Sequence, residues 1–143
     1  MNTDLIAFIR ARLDEDEREA LAVLWAGSGN RLDWTLVASA TIEIGTETIG
    51  TDDRNVASHI ARHDPARVMA EVDAKRRLLD LHGPLTLRGG AGARCFDTTT
   101  ACRSCEPPQF PEHAYPCATL RLLALPYADH PDYRPAWAPD VTA

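Results

Sequence analysis

Long apolar runs are missing from this chain of 143 residues. No window approaches the roughly 18–20 consecutive apolar residues that a membrane-spanning helix needs. The N-terminus has neither the basic start nor the apolar stretch of a secretory signal. Lysine is almost absent: Lys75 stands alone beside fourteen arginines, and with 22 alanines this reads as the codon usage of a GC-rich genome rather than selection for arginine chemistry. Positive charge is in deficit as well, with a formal net charge of −6, which argues against the broad basic footprint of a general nucleic-acid binder. There is no Gly-x-Ser-x-Gly nucleophile turn. Gly89-Gly90-Ala91-Gly92 lacks the Lys-Ser/Thr that completes a phosphate-cradling loop. Nothing directs export, so the expected compartment is the cytoplasm. There, four cysteines are metal ligands or free thiols sooner than a disulfide framework.

What is present fits an ordinary globular protein. Hydrophobic residues make up 45% and charged residues 25%, and the length matches one domain with its own core. Leu5, Ile6, Ile9, Leu13, Leu21 and Leu24 recur at helical spacing, which predicts an amphipathic helix over about 4–25 with Asn2 or Thr3 as its cap. The run Asp14-Glu15-Asp16-Glu17-Arg18-Glu19 reads as its solvated surface, with an acidic docking patch as the sharper alternative. Gly27-Ser28-Gly29-Asn30 ends this helix. From Trp34 to Ile44 apolar and polar residues alternate, which predicts one strand of eleven residues with a buried face, followed by a short return strand over 47–51. Asp52 or Asp53 is placed to cap a helix ending near His63. Asp64-Pro65 then restarts a second helix as cap and first residue, running to about His82.

The chain changes character at Gly83-Pro84. Counting Pro84 itself, nine of ten prolines lie from there on, with all four cysteines. Residues 85–93 read as a flexible loop, and regular structure is expected again only as a short helix over 118–125. The tail from 129 reads as extended on the surface. The cysteines are spaced Cys95-x6-Cys102-x2-Cys105-x11-Cys117. Two thiolates two residues apart hold one metal in a tight turn, and Cys117 sits where a helix should begin, where free N–H groups favour a thiolate. Tetrahedral zinc needs a fourth donor, and His113, Cys95 and His82 all qualify by position. An iron–sulfur cluster is the second reading, although the spacing matches no ferredoxin pattern. His59 and His63 share one helix face, and with Asp64 they would form the nucleus of a metal-dependent hydrolase. The plainer reading makes Asp64 a cap and leaves no catalytic residue in the chain.

Three stretches, beginning Asp4-Leu5-Ile6-Ala7-Phe8-Ile9-Arg10, His59-Ile60-Ala61-Arg62-His63-Asp64-Pro65 and Pro116-Cys117-Ala118-Thr119-Leu120, resemble a family of short proteins of unknown function from Streptomyces, related actinobacteria and their phages. The resemblance implies a histidine ending the long helix, here His82, a Cys-x2-Cys pair, here Cys102 and Cys105, and a Pro-Cys before the last helix, here Cys117. It therefore favours His82 over Cys95 and His113 as the fourth ligand.

The expectation is a small single α+β domain over 1–143. It has a long N-terminal helix, an antiparallel β-hairpin and a bent helix pair over 1–82, a zinc-clipped segment over 83–128 and a tail over 129–143. Its zinc would be structural, held by His82, Cys102, Cys105 and Cys117. Its role would be that of an interaction or regulatory module with a protein partner. The alternatives are the His59/His63/Asp64 hydrolase, a nucleic-acid-binding zinc module and an iron–sulfur redox sensor.

Overall fold

The computed structural model describes residues 3–88, 98–105 and 115–139. Among these residues it is an α+β protein with four α-helices, a three-stranded antiparallel sheet and a two-stranded sheet. In chain order these are α1 (Thr3–Ala22), β1 (Asn30–Ala38), β2 (Thr41–Gly45), β3 (Thr48–Gly50), α2 (Arg54–Arg62), α3 (Pro65–Leu81), β4 (Pro84–Arg88), β5 (Thr98–Cys102) and α4 (Ala118–Ala124). The chain divides into two compact units, residues 13–74 and residues 1–12 with 75–143.

In the unit of residues 13–74, the sheet order is β1-β2-β3. The expected single strand over 34–44 is corrected: Ser39 and Ala40 form a turn that splits it into β1 and β2. The alternation survives because of the register. A two-residue turn pairs Ala38 with Thr41, which have opposite parity, but an irregularity after Leu36 shifts the ladder so that Leu36 pairs with Ile42 and Thr35 with Glu43. Paired residues share a face, so a hairpin with this bulge shows the same period of two as one long strand. Neither turn residue has a positive φ, so the usual Asn-Gly hairpin signal is absent.

Gly45 is required by geometry. Its φ is +153°, and a Cβ there would lie 2.1 Å from the Gly29 carbonyl oxygen. Asp53 caps α2, its carboxylate accepting from the Asn55 and Val56 N–H groups. Asp64 precedes Pro65 as expected. One of its oxygens accepts from Arg67 N–H at 2.8 Å, and the other from Trp34 N–H on β1 at 2.9 Å. Ile42, Ala57 and Leu13 are fully buried here, and Val72 nearly so.

In the other unit, Leu5 and Ile9 stand one turn apart on α1 and are fully buried, as are Leu120 and Ala124 of α4, with Leu79 of α3 at 1% exposure. Each leucine and isoleucine among these contributes about 1.5–3 kcal/mol on burial. Residues 84–88 are not loop. β4 pairs with β5 antiparallel, from Pro84↔Cys102 at one end to Arg88↔Thr98 at the other. The alternation Leu85-Thr86-Leu87-Arg88 and the β-branched run Thr98-Thr99-Thr100 are the strand signals that the surrounding glycines obscured.

Over its described part the tail is not extended either. Turns and a 3-10 helix over Pro135–Trp137 fold it onto α1. The centroids of Trp137 and Tyr133 lie 5.1 and 6.0 Å from that of Phe8, and Trp137 is buried. Packing of these two large rings against Phe8 outweighs the prolines' resistance to regular structure.

Candidate metal centre

Four side chains from separate parts of the chain converge within this unit. α3 ends at Leu81, and the next residue, His82, stands with its ring beside Cys102 at the end of β5. Cys102 closes β5, Cys105 ends the bend that follows, and Cys117 is the N-cap of α4. The candidate ligand atoms of these four residues all lie within 4.8 Å of one another. His82 Nδ1 stands 3.3 Å from Cys102 Sγ, 3.7 Å from Cys105 Sγ and 3.6 Å from Cys117 Sγ. For a tetrahedral ion with zinc–sulfur bonds near 2.3 Å and zinc–nitrogen bonds near 2.0–2.1 Å, the nitrogen-to-sulfur edge is about 3.6 Å. The three observed edges bracket that value.

The backbone around the site fixes its shape. The Arg103 N–H donates to the Gly83 carbonyl at 2.9 Å, and the Ser104 hydroxyl donates to the Leu81 carbonyl, so the Cys102–Cys105 bend is tied to the end of α3. Ser104 was not anticipated from the sequence; its place inside Cys-x2-Cys is the signal that points to it. The Tyr115–Pro116 peptide is cis. Cys117 makes no side-chain capping bond, which leaves its sulfur facing the other donors.

The thiols differ sharply in acidity. Burial opposes ionisation of Cys102, but the Cys105 and Ser104 N–H groups, followed by His82 and the Cys105 thiol, outweigh it and bring the pKa down to about 7. Burial pushes Cys105 up to about 12, reinforced by its hydrogen bond to Cys102 and by charge on Cys117 and Cys102. Negative charges this close cannot accumulate without a cation among them. Tyr115 is buried beside the cluster, and its pKa rises to about 12 through burial and then through the charges of Cys102 and Cys117. Its hydroxyl has no hydrogen-bond partner among the described residues.

Of the three fourth-ligand candidates, His82 lies among the described residues, beside Cys102, Cys105 and Cys117. Cys95 and His113 lie outside the described residues. His59 and His63 stack with ring centroids 4.4 Å apart, but both Asp64 oxygens are engaged by backbone N–H groups. Among the described residues, the cluster of three or more candidate ligands is the one around His82, and His59, His63 and Asp64 form no second one.

The fold and this cluster define a small α+β protein with a Cys3His set of candidate metal ligands. The chain belongs to a family of unknown function, DUF6221, whose family model matches residues 2–139. No curated protein and no solved structure matches the chain. Among the described residues, no helix is long and apolar enough to cross a membrane.

Proposed function

We propose that this protein is a small cytoplasmic interaction or regulatory module whose fold depends on a structural zinc ion. The ion is held by His82 Nδ1 and the thiolates of Cys102, Cys105 and Cys117. The observation that carries the reading is the set of nitrogen-to-sulfur edges at 3.3, 3.6 and 3.7 Å, which leave room for one tetrahedral ion. Four protein donors leave no open coordination position, so the zinc serves structure rather than catalysis.

The donor set also disfavours an iron–sulfur cluster. Such clusters are held by cysteines on several irons, whereas here one imidazole and three sulfurs surround a space for a single ion. The hydrolase reading is weaker still, because Asp64 already serves as a helix cap. A net charge of −6 supports a protein partner over nucleic acid.

The test is elemental analysis of untagged protein, joined to Cys105→Ser. About one zinc per chain, lost in Cys105→Ser together with a fall in melting temperature, supports the proposal. Iron in place of zinc, or unchanged metal content and melting in the variant, would overturn it. His59→Ala and His63→Ala should leave metal content unchanged.

A further inference from the structure

We infer, resting on the zinc reading just given, that Cys102 and Cys105 form a site of reversible oxidation: a hydroperoxide joins them in a disulfide, which discharges the ion. Sulfur bound to zinc is thiolate whatever its acidity in the free chain. Exposure therefore decides which of the three an oxidant reaches. Cys102 is buried and Cys117 half-buried, whereas Cys105 is exposed. Peroxide meets the centre at Cys105.

Two further sulfurs stand close enough to react with it, since the candidate ligand atoms all lie within 4.8 Å of one another. The backbone favours Cys102. It shares one bend with Cys105, and hydrogen bonds of its own fix that bend to the end of α3. The Arg103 N–H donates to the Gly83 carbonyl at 2.9 Å, and the Ser104 hydroxyl donates to the Leu81 carbonyl. Cys117 instead opens α4, with eleven residues between it and Cys105. The shorter closure costs less chain entropy, so Cys102 is the sulfur that completes the reaction.

Atoms and electrons balance over two steps. The Cys105 thiolate attacks one oxygen of hydrogen peroxide and the O–O bond breaks. The sulfur gives up two electrons and becomes a sulfenic acid, while hydroxide leaves. The Cys102 thiolate then attacks the Cys105 sulfur, the S–O bond breaks, and a second hydroxide leaves as the disulfide forms. Two thiolates and one peroxide thus give one disulfide and two hydroxides. His82 and Cys117 remain as donors, two where tetrahedral zinc takes four, so the ion is lost. The clip between the end of α3 and the start of α4 opens, and a dithiol reductant regenerates both thiolates.

The experiment adds hydrogen peroxide to the zinc-loaded full chain and follows zinc release with a chromogenic chelator, while peptide mapping by mass spectrometry locates the disulfide. One zinc ion should leave for each Cys102–Cys105 disulfide formed, and dithiothreitol with added zinc should restore the loaded protein. Cys95→Ser removes the fourth cysteine of the chain and should release zinc as the wild type does. Cys105→His keeps a donor but removes the exposed sulfur, and should release zinc at least about tenfold more slowly. Should that variant fail to hold zinc, the mapping of the wild-type disulfide carries the test. A chain that holds no zinc before peroxide is added overturns the zinc reading, and this inference with it. Zinc retained under peroxide, a disulfide through Cys95 or Cys117, or oxidation that the dithiol cannot reverse would overturn the switch alone.

Discussion

Stripping the metal from the proposed centre should lower stability by about 6 kcal/mol, a figure that follows from the chain lengths the ion would close. His82 and Cys102 are 20 residues apart, and Cys105 and Cys117 are twelve apart. Treated as cross-links that restrict the unfolded chain, loops of those sizes are each worth about 3 kcal/mol. Their sum is comparable to the whole stability of a typical domain, about 5–15 kcal/mol. At about 3–4 °C per kcal/mol for a chain of this size, a tight chelator should lower the melting temperature by roughly 20 °C. Cys117→Ala removes one of the four donors, should release the ion with it, and should cost about as much. It is a clean perturbation because Cys117 makes no side-chain capping bond that the substitution would also remove. The assay is thermal unfolding by circular dichroism with parallel metal analysis. Metal loss with a melting change under about 2 °C, in either experiment, would show that the ion contributes nothing to the fold.

Four further outcomes are expected. In metal-free protein the thiolate absorbance should show Cys102 titrating near pH 7, while Cys105 stays protonated until far above pH 10. Metal binding at neutral pH should therefore release protons and tighten as pH rises, and Cys102 and Cys105 titrating together near the ordinary thiol value would refute this. Asp64→Ala removes the acceptor for both the Arg67 and Trp34 N–H groups and should cost about 2 kcal/mol in denaturant unfolding with metal content unchanged. Gly45→Ala drives a Cβ into the Gly29 carbonyl and should cost at least about 2 kcal/mol; a variant as stable as wild type would contradict the register of β1 and β2. Hydrogen exchange should show the β4–β5 amides losing protection when the metal is removed, and unchanged protection there would detach the hairpin from the metal.

The helices were legible because their signals are local. Asp53 caps α2, and Asp64-Pro65 opens α3, through chemistry confined to a few neighbouring residues. The β1–β2 turn was not, because period two is blind to a hairpin whose bulge restores parity, and Ser39-Ala40 carries neither the glycine nor the asparagine of the favoured hairpin turns. The tail was misread for a different reason. Its prolines describe the backbone of residues 126–139, but the packing of Tyr133 and Trp137 on Phe8 depends on a helix more than a hundred residues away. Composition alone carries no information about such a contact.

The metal cluster was readable in part, and the division is informative. Cys102 and Cys105 belong together by spacing, since one tight bend brings both sulfurs to one point. Cys117 was reachable through the helix it begins. His82 was ambiguous by spacing alone, because its 20-residue separation from Cys102 has no preferred geometry until β4 and β5 are known to pair. That pairing sets Pro84 opposite Cys102, so the residue two places before Pro84 arrives beside the sulfur. The dependence also runs the other way. A two-stranded hairpin is at best marginal by itself in water, and β4–β5 has no third strand among the described residues. An ion at the Pro84–Cys102 end would join that end to the close of α3 and the start of α4, supplying by coordination what a wider sheet supplies by pairing.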